Sequence, residues 1–302
     1  MGKLVGKSIK SVEDPRFIQG QGKYVANIKI PNMAHVAVLR SPHAHAKINS
    51  INTDAAKALS GVIDVFVGQD LIDGGVGKMP VIWQVPDNKI PDRWPLVPDK
   101  VRHVGDSVAA VVAEDLYIAR DALDLIEVDY EVLPAVYDPV EAMKPEAPLI
   151  HDDVAAYEGA PTQFLAPDVH NGQTRLYWEK GDLQQGFKDA DVVLEHSFSI
   201  PSRHQGYIEP FASVIDIDAD GRIQARCSSK APFRARRQMA LALGLDEETI
   251  RVNVTSIGGD FGGKGDTRDL PIAYLLAKMA GLPVKIVMSS VEEYTASNPT
   301  HP

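Results

Sequence analysis

The chain has 302 residues, of which 44% are hydrophobic and 24% charged, and its formal net charge is -10. That acidity argues against a general nucleic-acid partner, and the sequence has neither an apolar run long enough to span a bilayer nor a secretory h-region, so a cytoplasmic protein is expected. The one cysteine, Cys227, excludes an internal disulfide and an iron-sulfur cluster held by four thiolates of this chain, so electrons of any redox reaction would leave through another polypeptide.

β-Branched content and bounding turns predict strands over residues 35–39, 62–67, 108–113 and 127–132. A short helix is predicted over 54–59, capped by Asp54 and stopped by Gly61. Ile118, Ala119, Ala122, Leu123 and Ile126 form a helical stripe beginning near Asp115. Residues 74–98, rich in Gly and Pro, predict a surface excursion. From 138 to 172, Pro, Ala and acidic residues recur without period, which places a linker between a first domain, 1–137, and a second, 173–302. The second is predicted to hold strands over 192–200, 212–218, 223–228 and 250–255, with Asp220-Gly221 as a hairpin turn. One helix is predicted to start near Pro232 behind a Ser229 cap and to stop at Gly244. Another runs over 269–279 with Ile272, Leu275, Leu276 and Met279 on one face.

Between the last strand and the last helix stands Gly258-Gly259-Asp260-Phe261-Gly262-Gly263-Lys264-Gly265. Glycine admits positive φ and lets a bulky group approach backbone amides, so such a loop suits a large anionic ligand; a plain tight turn needs only one or two glycines. Read as Gly258-x-x-x-x-Gly263-Lys264, the segment approaches a phosphate-binding P-loop. Gly265, however, stands where Ser or Thr would hold magnesium, and a P-loop-like nucleotide-binding protein is the demoted alternative.

Other residues carry weaker signals. Glu209, in His204-Gln205-Gly206-Tyr207-Ile208-Glu209-Pro210, is a candidate general acid or base if burial raises its pKa, and otherwise a structural hydrogen-bond acceptor. His43 and His45 share one face of a strand by their spacing, but no third or fourth metal ligand is placed by sequence. Arg234, Arg236 and Arg237 form a basic cluster that is either a solvated helix face or a contact for phosphate or a neighbouring subunit.

Several stretches, in order, resemble the xanthine dehydrogenase and aldehyde oxidase family. Glu13-Asp14-Pro15-Arg16-Phe17-Ile18 with Gly20-x-Gly22-x-Tyr24-Val25 is similar to the amino terminus of aerobic carbon monoxide dehydrogenase large subunits. Arg40-Ser41-Pro42-His43-Ala44-His45-Ala46 matches a family stretch, as do Val104-Gly105-Asp106-x-Val108-Ala109, Val128-Asp129-Tyr130-Glu131-x-Leu133-Pro134, the glycine loop itself, and Pro283-Val284-Lys285-Ile286-Val287. The resemblance implies an α+β protein: a hammerhead domain followed by part of a molybdopterin-binding domain. It implies molybdenum-molybdopterin, in its cytosine dinucleotide form, with Gly259, Phe261, Gly262 and Gly263 against the cofactor and no metal ligand supplied by this chain. The candidate catalytic residues are Glu209 and Lys230; the family usually has Gln at the latter position, hydrogen-bonded to an oxygen on molybdenum. Lysine can donate as an amide does, but it adds a charge and accepts nothing. Gly265 replaces a glutamate that contacts purine in xanthine-oxidising members, which argues against a purine.

The implied activity is oxidation of a small carbonyl, N-heterocyclic or related substrate with water as oxygen source, electrons passing to iron-sulfur clusters and FAD on partner subunits. Family members carry several hundred further residues, including the glutamate taken as general base. The resemblance therefore implies either a fragment or, preferably, a divided subunit completed by a second chain. Lys230 in place of Gln, and the absence of that base, suggest the alternative of a non-catalytic scaffold or assembly subunit.

Overall fold

A computed structural model describes residues 4–80, 90–152, 171–172, 178–265, 267 and 269–300. In chain order the first half contributes α1 (Asp14–Ile18), β1 (Ala34–Arg40), β2 (Ala46–Asn52), α2 (Asp54–Lys57), β3 (Val62–Val67), α3 (Gly68–Asp73), β4 (Lys100–Val101), β5 (Ser107–Ala113), α4 (Leu116–Leu123), β6 (Glu127–Val132) and α5 (Pro139–Ala142). The second contributes α6 (Leu183–Asp189), β7 (Ala212–Ile217), β8 (Ile223–Cys227), α7 (Pro232–Leu243), β9 (Ile250–Asn253), α8 (Leu270–Ala280), β10 (Val284–Val287) and α9 (Ser290–Ala296).

The sequence Ser-Val-Ala-Ala-Val-Val-Ala of β5 is apolar without alternation because both of its faces are covered. Ala109, Val111 and Ala113 pack on Ala119 and Ala122 of α4 and Ala56 of α2, whereas Ala110 and Val112 point into the larger core with Leu71, Leu275 and Leu276. β5 sits between β3 and β1, antiparallel to both. β1 then pairs in parallel with β10, Ala34 opposite Val284, and the strand order runs β3-β5-β1-β10-β7-β8-β9. One seven-stranded sheet therefore runs through both predicted domains, with α8, eight of its eleven residues buried, laid against it. A second sheet has the order β4-β2-β6.

Local signals match closely where chemistry is local. Asp115 caps α4, accepting from the N–H of Tyr117 and Ile118, and Gly244 ends α7 in the left-handed region at φ 63°. Gly221 turns the β7–β8 hairpin at φ 83°. Other expectations need correction. Thr53, rather than Asp54, occupies the cap of α2, and the cap position of α7 is Ala231, whose N–H donates to Ser229 Oγ at 3.2 Å. The excursion over 74–98 is not wholly at the surface, since Val76, Leu96 and Val97 enter cores; residues 81–89 lie outside the described residues. Residues 192–200 form no strand, and none of the described residues pairs with them. The short elements β2, α3, β4, β10 and α9 carried no recognised local pattern. Of the predicted linker and the start of the second domain, residues 153–170 and 173–177 lie outside the described residues.

Ion pairs tie the halves together. Arg40, at the end of β1, reaches Asp269 at 3.2 Å and Glu292 at 3.3 Å. Burial works against its charge, but the two carboxylates more than offset that and raise its pKa above the ordinary arginine value. His45 is buried, with Nδ1 2.7 Å from the Pro134 carbonyl, and His43 stacks edge-on against Tyr130. Both imidazoles thus have packing tasks in the first half.

Half-buried His151 is pushed down to about 4, by burial first and then by Arg102 and Lys100. Its ring stays neutral in the fold, while in an unfolded chain it takes a proton near its ordinary 6.5, so its contribution is full above pH 6.5 and is lost between 6.5 and about 4. Urea unfolding should show lower stability near pH 5 than near pH 7, with the difference reduced in His151→Gln.

Candidate functional site

The glycine loop leaves β9 and enters α8. Two kinds of constraint make it glycine-rich. Gly259 and Gly262 have φ of 97° and 103°, where a side chain is strained. Gly258 and Gly263 are small for want of space: a Cβ on the former would lie 2.6 Å from Glu209 Cβ, and on the latter 2.8 Å from Tyr207 Cε1. Phe261 and Lys264 also adopt the left-handed region, at φ 44° and 45°, a conformation that costs about 1–3 kcal/mol each unless the surroundings enforce it.

What enforces it lies beneath the loop. Lys264 turns inward, 2% exposed, and its Nζ lies 2.8 Å from Glu209 Oε2 and 4.5 Å from the centre of the Tyr207 ring. The same carboxylate oxygen accepts the Gly258 N–H at 2.8 Å, and Oε1 accepts Ser228 Oγ at 3.2 Å. Tyr207 in turn donates its hydroxyl to buried Glu293 at 2.6 Å. The other oxygen of Glu293 accepts the Phe211 N–H, and His204 Nε2 stands 3.6 Å from the first. A continuous buried network thus runs from α9 through Tyr207 and Lys264 to the entry of the loop. Its exit is held by Arg40 on Asp269.

The outer face is different. Phe261 is 74% exposed, and a Cβ on Gly262 would meet nothing within 4 Å. Asp260 accepts the Gly262 N–H at 2.8 Å and Lys230 Nζ at 3.3 Å. Those contacts hold its carboxyl below the usual range, the Gly262 N–H foremost and Lys230 after it, against the opposing effect of burial. Lys230 is fixed to the loop a second time, through its N–H to the Lys264 carbonyl at 3.1 Å.

The catalytic and cofactor-binding candidates named from the sequence therefore meet here, on two sides of one loop, whereas His43, His45 and the arginine cluster lie elsewhere. Lys230, Phe261 and Gly262 face outward; Glu209 lies beneath, beside Gly258, with Gly259 and Gly263 packed over Tyr207. The P-loop alternative fails on Lys264, which would have to reach phosphate but is buried in an ion pair. Arg236 lies over Phe233 and 3.4 Å from Glu247, away from the loop. No group of His, Cys, Asp or Glu arranged to hold a metal ion occurs among the described residues. Sequence reasoning missed Tyr207 as the wall and Glu293 as its anchor; Tyr207 stood within the segment leading to Glu209, but nothing local marked Glu293.

This outer face suits a bulky partner: an open glycine backbone, an exposed aromatic ring and a positioned ammonium converge on it. Residues 19–134 match the model of the aldehyde oxidase and xanthine dehydrogenase a/b hammerhead domain, and residues 166–302, which contain the loop, match that of the molybdopterin cofactor-binding domain. The chain belongs to the xanthine dehydrogenase and aldehyde oxidase family. Within it, the carbon monoxide dehydrogenase large chain of Afipia carboxidovorans is 36% identical over 97% of this chain and 36% of its own length. The nicotinate dehydrogenase large molybdopterin subunit of Eubacterium barkeri is 30% identical over 100% of this chain and 66% of its own length. Among solved structures, quinoline 2-oxidoreductase from Pseudomonas putida 86 superposes with a TM-score of 0.86 at 30% identity, covering 100% of this chain and 36% of that one. The Cu,Mo-CO dehydrogenase in its carbon monoxide reduced state gives 0.83 at 35%, covering 97% and 37%. The chain thus spans about a third of the length of most of these family members. No helix among the described residues is long and apolar enough to cross a membrane.

Proposed function

We propose that the chain forms part of the molybdenum-cofactor-binding subunit of a cytoplasmic molybdenum hydroxylase. Its substrate is a small carbonyl, N-heterocyclic or related compound, water supplies the oxygen, and electrons pass to iron-sulfur and FAD-bearing partner subunits. The observation that carries this reading is the two-sided loop: a buried ion pair and a tyrosine hold it from below, and Phe261 and Gly262 are left open above, within residues that match a molybdopterin cofactor-binding domain.

The open face at Phe261 and Gly262 fits the group, so these two are assigned to meet molybdenum-molybdopterin, in its cytosine dinucleotide form, with Gly259 and Gly263, packed over Tyr207, shaping the loop that holds it. When bound, that cofactor supplies the two-electron redox chemistry that the side chains of this chain lack. Phe261 offers an apolar ring that excludes water from one side of the site, and the left-handed backbone at Gly262 lets a large group approach without meeting a Cβ. Lys230 presents a fixed ammonium that donates hydrogen bonds and stabilises developing negative charge, its position set by Asp260 and the Lys264 carbonyl. Glu209, with Lys264, Gly258 and Ser228 as partners, is assigned to positioning: it holds the loop entry rather than moving a proton.

The test is metal and pterin analysis of the complex isolated from its native source. Near-stoichiometric molybdenum with a pterin dinucleotide supports the enzyme; their absence from a fully assembled complex supports a non-catalytic scaffold. Within the enzyme, Lys230→Met should cost the fold no more than about 1 kcal/mol, because its ion pair is partly exposed, yet lower turnover at least ~10-fold with molybdenum content unchanged. Unaltered turnover would remove Lys230 from the site.

A further inference from the structure

A cavity of about 500 Å³ opens between the first half of the chain and the exit of the glycine loop. Its wall comes from Arg40 of β1, Ser107 of β5, residues 91–95, Arg102, Gln238 of α7, and Thr267 and Asp269 at the loop exit. Three side-chain atoms on residues of this wall are buried without a hydrogen-bond partner among the described residues: Arg102 Nε, Gln238 Oε1 and Thr267 Oγ1. Gln238 and Thr267 are 5% and 1% exposed, so bulk solvent does not satisfy them. Buried polar atoms are ordinarily paired, and three orphans on the wall of one cavity call for a ligand that completes them.

The balance of charge says what that ligand is. The carboxylates of the wall are already engaged: Asp92 lies 2.6 Å from Lys78 Nζ and Asp269 3.2 Å from Arg40, while Asp106 accepts the Arg102 N–H at 2.9 Å and stands 3.5 Å from His103 Nδ1. Among the described residues Arg93 and Arg102 join no ion pair, and Arg102 gives only Nη1 to a protein acceptor, the Lys100 carbonyl at 3.1 Å. The surplus positive charge is felt on the same wall at His151, where Arg102 and Lys100 add to the effect of burial in keeping the ring neutral. An anion answers Arg102 and the Thr267 hydroxyl, whereas Gln238 Oε1 asks for a donor. Met79, Trp94 and Val97 add apolar surface.

We propose that this cavity binds a small organic carboxylate that carries a hydroxyl or N–H donor and an apolar body. Its carboxylate accepts from Arg102 Nε and Thr267 Oγ1, its donor meets Gln238 Oε1, and its apolar body lies against Met79, Trp94 and Val97. The site is built from these groups alone and does not depend on which cofactor the glycine loop holds.

The experiment uses the assembled complex, with variants expressed in the native host, and titration calorimetry with salicylate as the probe and salicyl alcohol as its uncharged counterpart. Salicylate should bind with one-to-one stoichiometry, ~10-fold or more tighter than the alcohol. Arg102→Met and Thr267→Val should each weaken it ~10-fold or more, and Arg102→Lys, which keeps the charge, should lose less. Thermal unfolding of each variant separates lost binding from lost folding. Absence of saturable binding at millimolar salicylate, equal affinity for the two compounds, or unchanged affinity in the folded Thr267→Val and Arg102→Met proteins overturns the site. Affinity lost in Lys230→Met but kept in Arg102→Met places the probe above the glycine loop and overturns it as well. A structure of the complex in which polypeptide fills the cavity does the same.

Discussion

Glu209→Gln should destabilise the chain by about 3–5 kcal/mol, because it leaves the Lys264 ammonium buried without its counter-charge. Glutamine keeps an acceptor for the Gly258 N–H and nearly the same volume, so the loss reports the charge and not the shape. Glu209→Gln combined with Lys264→Met should recover most of it, since removing both charges together removes the uncompensated one. Urea denaturation of the four proteins in this cycle measures the coupling. A single-variant loss below about 1 kcal/mol would show that the pair is not what holds the loop. The functional consequence belongs to the same cycle. Phe261 and Lys264 keep left-handed backbone only while Lys264 is drawn beneath the loop, so Glu209→Gln should also lower retained molybdenum in the assembled complex.

Glu293→Leu should cost about 2–5 kcal/mol, from the loss of two buried hydrogen bonds to a carboxylate together. The Tyr207 hydroxyl and the Phe211 N–H both end on that carboxylate, and it is 4% exposed. The effect should travel to the loop, because Tyr207 is the surface on which Gly259, Gly263 and Lys264 rest. Glu293→Gln retains an acceptor and should lose less. Thermal unfolding ranks the variants, and hydrogen exchange at residues 258–265 reads whether the loop loosens. A Glu293→Leu protein with parental stability and parental protection in the loop removes the network from the account.

Legibility in the sequence followed the range of the forces involved. The cap at Asp115, the left-handed stop at Gly244 and the turn at Gly221 are fixed by neighbours within four residues, and each was readable. The glycine loop was readable for the same reason, because its composition states that the backbone must do what side chains forbid. A strand was expected over 192–200, where apolar residues do recur at every second position, but such a period announces only a face to be buried, and a strand forms when a partner lies beside it. The direction of Lys264 was also beyond reach. Seen as a motif, it looked outward to a phosphate; the tertiary structure gave it Glu209, 55 residues earlier, and the face of Tyr207.

The family, the α+β class and the loop on which the function rests were thus determined by the sequence alone, because they reside in short patterns of conformational permission and apolar spacing. Only the tertiary structure decided that β1 and β10, some 250 residues apart, make one sheet of both halves, and that a buried network from Glu293 to Glu209 holds the loop open. Pairings across that separation depend on which backbone and which charge arrive side by side when the core closes, and no local pattern encodes the meeting.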